Sequence, residues 1–125
     1  MIIAKSQSDK YLTEISNGAA MIFSNVASDK GGDDGYFSPH EFLCASLAAC
    51  LDITTRMVLD HKNILYEEIN VKVVLDQSDD AETRFVYDID IIGDIDEKEK
   101  DQIIKIVSKC PVRKTLSKKI SFVAI

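Results

Sequence analysis

Short apolar stretches separated by polar turns open the chain. Ile2–Ala4, Tyr11–Ile15 and Ala19–Phe23 read as three strands, with turns at Gln7–Lys10 and Ser16–Gly18. Ser28–Gly35, rich in Gly, Asp and Ser, reads as a flexible loop. It leads into a well-specified helix start. Ser38 suits the N-cap, Pro39 the first helical position, and Glu41 completes a capping box, while Phe37 and Phe42 are placed for a hydrophobic staple. The helix should run to His61 or Lys62. Its first half is apolar all round, which predicts burial on every side. Its second half carries Asp52, Arg56 and Asp60 at i, i+4 spacing on one solvated stripe.

Two alternating runs follow. Ile69, Val71, Val73 and Leu75 share one face of a strand, and Phe85, Tyr87, Ile89 and Ile91 share one face of another, with a polar turn at Ser78–Glu82. This is an antiparallel hairpin with one buried face. Asp96 caps a second helix, with Glu99 completing a capping box and Ile103, Ile104, Ile106 and Val107 forming its apolar face. Pro111 stops that helix and starts a short third one, Val112 to about Ser117, and Ile120–Ile125 reads as a closing strand. Hairpins without regular βαβ crossovers make the fold class α+β.

With 125 residues the chain reads as one domain, residues 1–125, able to bury a core without staples. The net charge of −6 and the lack of any dense basic run argue against nucleic-acid binding. The uncharged apolar run Phe42–Leu51 is about half of the roughly 20 residues that span a bilayer. The first residues lack the basic start and long apolar stretch of a signal peptide, so no membrane partner and a cytoplasmic location are expected. In a reducing compartment three cysteines are core thiols, metal ligands or redox groups, not a disulfide framework.

Cys110 stands at the N-cap of the short third helix, beside Arg113 and Lys114, where the helix end and the nearby cations favour a thiolate. It equally reads as a small apolar residue closing the face of Ile104 and Val107. Cys50 lies mid-helix among apolar neighbours and on local features is a core thiol. Cys44, about 240° away round the helix, reads as core. His40 and Cys44 have i, i+4 spacing, but the chain has no Cys-x-x-Cys and no His-Glu-x-x-His, so no metal and no cofactor are expected.

At Pro39-x-Glu41-Phe42-Leu43, at Ala48-Ala49-Cys50, and at Cys110-Pro111-Val112 followed by Leu116, the chain resembles the OsmC/Ohr family of thiol-dependent peroxidases. The likeness covers most of the chain and is strongest to the broad OsmC-like subgroup. It implies antiparallel sheets packed around a long buried central helix, in an intertwined homodimer with two sites at the interface. It also implies that Cys50 attacks an organic hydroperoxide, that Cys110 resolves the resulting sulfenic acid to a disulfide, and that an external dithiol reduces it.

Two departures stand out. The family's peroxidases share an arginine ahead of the helix that holds the reactive thiolate, and a glutamate directly after the proline that orients it. Here arginine occurs only at 56, 84 and 113, and the residue after Pro39 is His40. Glu41 matches the next position, and the capping box accounts for it. Candidates for the missing cation are Lys5, Lys10, Lys30, Arg56 and protonated His40. Two functions therefore stand: a hydroperoxide reductase with an altered activating residue, or a protein that binds a small apolar ligand or senses redox state without efficient turnover. The paired cysteines favour the first and the missing arginine the second.

Overall fold

The computed structural model describes residues 1–125, which form two compact units, residues 1–43 and 44–125. In the first unit, β1 (Ile3–Ser6), β2 (Thr13–Ser16) and β3 (Met21–Ser24) form an antiparallel meander, with Ile3 opposite Ser16 and Ser16 opposite Met21. The turn into β3 is held by Asn17, whose Oδ1 accepts from the amides of Ala19 and Ala20. Gly18 in that turn has φ +94°, a conformation that costs a glycine little.

The polar loop is tied down more closely than its composition implies. Asp34 accepts from both the amide and the hydroxyl of Ser28, and these bonds hold its carboxyl below the usual range. Asn25 bridges the Lys10 carbonyl and the Val26 amide. Gly32 passes so near the Val26 carbonyl that an added Cβ would lie 2.0 Å from its oxygen. Short polar side chains that satisfy the backbone do here what a hydrophobic core does elsewhere.

The cap of α1 (Pro39–His61) is as the sequence specifies. The Glu41 carboxylate accepts from the Ser38 amide at 2.7 Å, the Ser38 hydroxyl accepts from the Glu41 amide at 3.3 Å, and the Phe37 and Phe42 rings meet at 5.6 Å. The expected burial of its first half on all sides does not hold in the single chain. One stripe, Leu47, Leu51, Thr55 and Leu59, is buried at i, i+4 spacing, while Leu43, Ile53 and Met57 are exposed. Only one side of the helix meets a core here, so periodicity and not composition decides which residues are covered. The Thr55 hydroxyl, fully buried, donates to the Leu51 carbonyl at 2.7 Å. By length and composition α1 suffices to cross a bilayer, more so than its uncharged run suggests. In this fold its leucines enter the core of the second unit.

That core joins Leu47, Leu51 and Leu59 to Ile69, Ile89, Ile91, Ile103, Val107 and Cys110. β4 (Glu68–Asp76) and β5 (Arg84–Ile92) form the expected hairpin, with Ile69 opposite Ile91 and Asp76 opposite Arg84. Asp76 accepts from the amide and hydroxyl of Ser78 and pairs with Arg84 at 2.7 Å, which closes the strand ends. α2 (Glu97–Val107) starts at Asp96, whose carboxylate accepts from the Glu99 amide at 2.8 Å. Ile103 and Val107 are fully buried, but Ile106, expected on the same face, is half exposed. α3 spans Pro111–Leu116.

The closing strand expected at Ile120–Ile125 is absent: those residues have no regular structure, and Phe122 and Val123 are 94% and 84% exposed. Their alternation suits a strand, but a strand needs a neighbour's backbone to bond, and the single chain offers this segment none.

Candidate functional site

Cys50 and Cys110 are far apart in sequence and adjacent in the second unit. Cys50 sits one residue before the fully buried Leu51, so it flanks the core-facing stripe of α1 and packs half-buried against the core. Cys110 follows the last turn of α2, its amide donating to the Val107 carbonyl at 3.0 Å, and is only 1% exposed. It is the N-cap of α3, and Pro111 follows at the first helical position.

That arrangement determines which backbone donors face the thiols. The first amides of a helix have no acceptor within it, and proline supplies no N–H at all. The first free donor of α3 is therefore the Val112 amide, and it donates to Cys50 Sγ at 3.5 Å. Cys50 also lies close enough to Cys110 to push its thiol pKa up. All three cysteines are free thiols, and Cys44 is half-buried. No group of three or more His, Cys, Asp or Glu side chains is arranged to hold a metal ion.

The expectation of a lowered Cys110 pKa is overturned. Burial pushes the thiol up, and the hydrogen bond and charge of Cys50 push it the same way, against a partial downward pull from the amides of Arg113 and Val112. The helix end does act on the sulfur, but desolvation outweighs it. The basic neighbours do not help: the Arg113 guanidinium turns away to donate to the Ser108 carbonyl at 2.6 Å and the Tyr87 hydroxyl at 3.3 Å.

Of the other candidate residues, Arg56 shares the second unit with the thiols and is not gathered at them. Arg56 lies about 240° round α1 from Cys50 and pairs with Asp52 at 2.7 Å. Glu41 is engaged in the cap and His40 is exposed at the helix start, both in the first unit. Lys10, in the same unit, holds its ammonium 5.2 Å from the centre of the Tyr11 ring. Two participants escaped the sequence reading: the Val112 amide and the Tyr87 hydroxyl. Pro111 at the first helical position was the signal for the former, since it has no N–H and makes the next amide the first donor of the helix.

A cavity of about 620 Å³ opens next to the pair, lined by Leu47, Phe85, Tyr87, Arg113, Leu116 and Ser117 among others. Leu47 is one helical turn before Cys50 and Arg113 three residues after Cys110. The volume suits a small organic molecule, and the lining is mixed, with apolar Leu47, Phe85, Val86 and Leu116 beside charged Glu82, Arg84 and Arg113.

The raised Cys110 pKa has a consequence for stability. The folded state favours the neutral thiol, so its contribution is full below the unfolded thiol pKa near 8.5 and is lost as pH rises through the higher folded value. Urea midpoints of the reduced protein should therefore fall on going from neutral to strongly alkaline pH, and fall less in Cys110→Ala. An equal decline in both proteins would contradict the shift.

Comparisons with known proteins bear on the family and the fold. A family model described as OsmC-like protein matches residues 31–124. No curated protein sequence matches the chain. Among solved structures, an OsmC-like protein from Mycoplasma pneumoniae aligns with TM-score 0.75 and 22% identity, over 93% of this chain and 85% of that one. A putative osmotic stress induced and detoxification response protein from Psychrobacter arcticus aligns with TM-score 0.75 and 20% identity, over 91% and 85%. The organic hydroperoxide resistance protein OhrB of Bacillus subtilis aligns with TM-score 0.62 and 20% identity, over 94% and 89%. Both the sheets with their long helix and the match over residues 31–124 place this chain in the OsmC-like protein family.

Proposed function

We propose that the protein is a thiol-dependent organic hydroperoxide reductase in which Cys50 attacks and Cys110 resolves. The observation that carries this reading is the contact of the two thiols under the Val112 amide. The raised Cys110 pKa supports that order, since it keeps Cys110 a neutral thiol at neutral pH. The Cys50 thiolate attacks the O–O bond of the hydroperoxide, the alkoxide leaves and takes a proton as the alcohol, and Cys50 becomes a sulfenic acid. Cys110 then attacks that sulfur, a disulfide forms, and water leaves. A dithiol returns both cysteines to thiols. The apolar part of the adjacent cavity, Leu47, Phe85, Val86 and Leu116, suits the organic part of the peroxide. A relative of similar fold is named for organic hydroperoxide resistance. The cytoplasm, with its reducing thiol pool, suits such a cycle.

A second reading is a binding or redox-sensing protein of the same fold. It is favoured by the absence of any arginine before residue 56 and by the commitment of Arg56 to Asp52.

The apolar residues left open in the second unit, Ile53, Met57, Phe122 and Val123, are surface for a second copy of the chain to cover. On this reading the tail becomes a strand by pairing with a partner.

With cumene hydroperoxide the reduced protein should lose two thiols per chain and two hydrogens in mass. Cys50→Ser should consume no peroxide, and Cys110→Ser should stop at a sulfenic acid that dimedone traps. Thiols that persist for hours at excess peroxide would favour the sensor reading. Equilibrium sedimentation should give twice the chain mass, and a monomer at micromolar concentration would count against the homodimer.

A further inference from the structure

Charge is strongly segregated along this chain. Residues 102–125 hold six of the fifteen Lys and Arg and none of the 21 Asp and Glu, so a +6 segment closes a chain that is −12 elsewhere. The sequence shows no dense basic run there, but folding makes one. Lys109, Arg113, Lys114 and Lys118, with Ser108 and Ser117, line an open basin of about 460 Å³. None of these four cations pairs with a carboxylate: the ion pairs of the structure are Arg56–Asp52, Arg84–Asp76 and Lys100–Glu97. Lys109 directly precedes Cys110, and the basin follows the helix that Cys110 caps.

Four cations without a carboxylate partner, two on α3 and one on either side of it, repel one another, and the fold supplies no acidic partner for them. An organic hydroperoxide, uncharged and apolar, gains nothing from them. The dithiol step is different, since it must bring a second reagent to the α3 end of the thiol pair. We infer that this basin docks the acidic face of a dithiol protein that reduces the Cys50–Cys110 disulfide. The inference rests on the reductase reading. One reductant thiolate attacks the disulfide and forms a mixed disulfide, releasing one cysteine as a thiol. The second reductant thiol breaks the mixed disulfide, so two electrons and two protons pass to this chain and the reductant leaves as its own disulfide. A basin of one sign on an otherwise acidic surface orients such a partner and raises its association rate.

The test uses two synthetic Cys-x-x-Cys peptides, one flanked by aspartates and one by lysines, with the full-length protein oxidised at Cys50 and Cys110. At low salt the aspartate peptide should reduce the disulfide at least about tenfold faster than the lysine peptide. The difference should close on adding salt and in the triple variant Lys109→Glu, Lys114→Glu, Lys118→Glu. Uncharged dithiothreitol should reduce both proteins alike. Equal rates for the two peptides, or a preference that survives in the triple variant, would overturn the inference. Should the triple variant not fold, the Lys→Gln triple and the salt dependence of the wild-type protein make the same comparison. If hydroperoxide forms no disulfide, the reductase reading fails by itself. Docking is then read from fluorescence anisotropy of labelled peptides with serine in place of cysteine. Selective, salt-sensitive binding of the aspartate peptide, lost in the triple variant, supports the dock. Tighter binding of duplex DNA or anionic vesicles would assign the basin to another occupant and overturn it.

Discussion

A proline at the start of α3 has no N–H to give, and this constraint organises the thiol site. With Pro111 in the first helical position and Cys110 at the cap, the Val112 amide is the first donor α3 has, and, lacking an acceptor within the helix, it donates to Cys50. The side chains behind it hold that alignment. Ile103 and Val107 fix α2 in the core, Leu47 and Leu51 fix α1, and each fully buried aliphatic side chain contributes about 1.5–3 kcal/mol relative to exposure. The packing therefore determines where two sulfur atoms meet, and the backbone supplies the donor between them.

The electrostatics of the pair follow from the same burial. A thiol 1% exposed is an expensive place for a charge, and a second sulfur beside it raises the cost further. Two adjacent thiolates are therefore disfavoured. The cations stand apart from this pair. Arg113 serves Ser108 and Tyr87, Arg56 serves Asp52, and Lys109, Lys114 and Lys118 face solvent. The site is thus organised by desolvation and backbone dipoles inside, with positive charge kept on the rim, where it acts on approaching molecules and not on the sulfur.

Much of the fold was legible in the sequence because its signals are local. The capping box of Ser38 and Glu41, the staple of Phe37 and Phe42, and the alternation of β4 and β5 each involve residues a few positions apart or paired across a turn. The features that escaped are those set by distant chain. The N-cap position of Cys110 was readable, but its raised pKa depends on burial under α2 and on Cys50, sixty residues away. The loop at Ser28–Gly35 looked flexible because Asp34 and Asn25 cannot be seen to find their partners from composition. The tail at Ile120–Ile125 has a strand's pattern, but pattern does not supply a neighbour. The basic basin was invisible because its members are spread from 109 to 118 and only a helix brings them to one side.

The pairing of Cys50 with Cys110 underlies the whole account, and peptide mapping of the oxidised protein tests it most directly. The reduced chain would be treated with one equivalent of cumene hydroperoxide, digested without reductant, and its cross-linked peptides identified by mass. The account predicts a single linked pair joining the peptide of Cys50 to that of Cys110, with Cys44 recovered as a free thiol. A bridge through Cys44, or Cys50 and Cys110 each linked elsewhere, would contradict it.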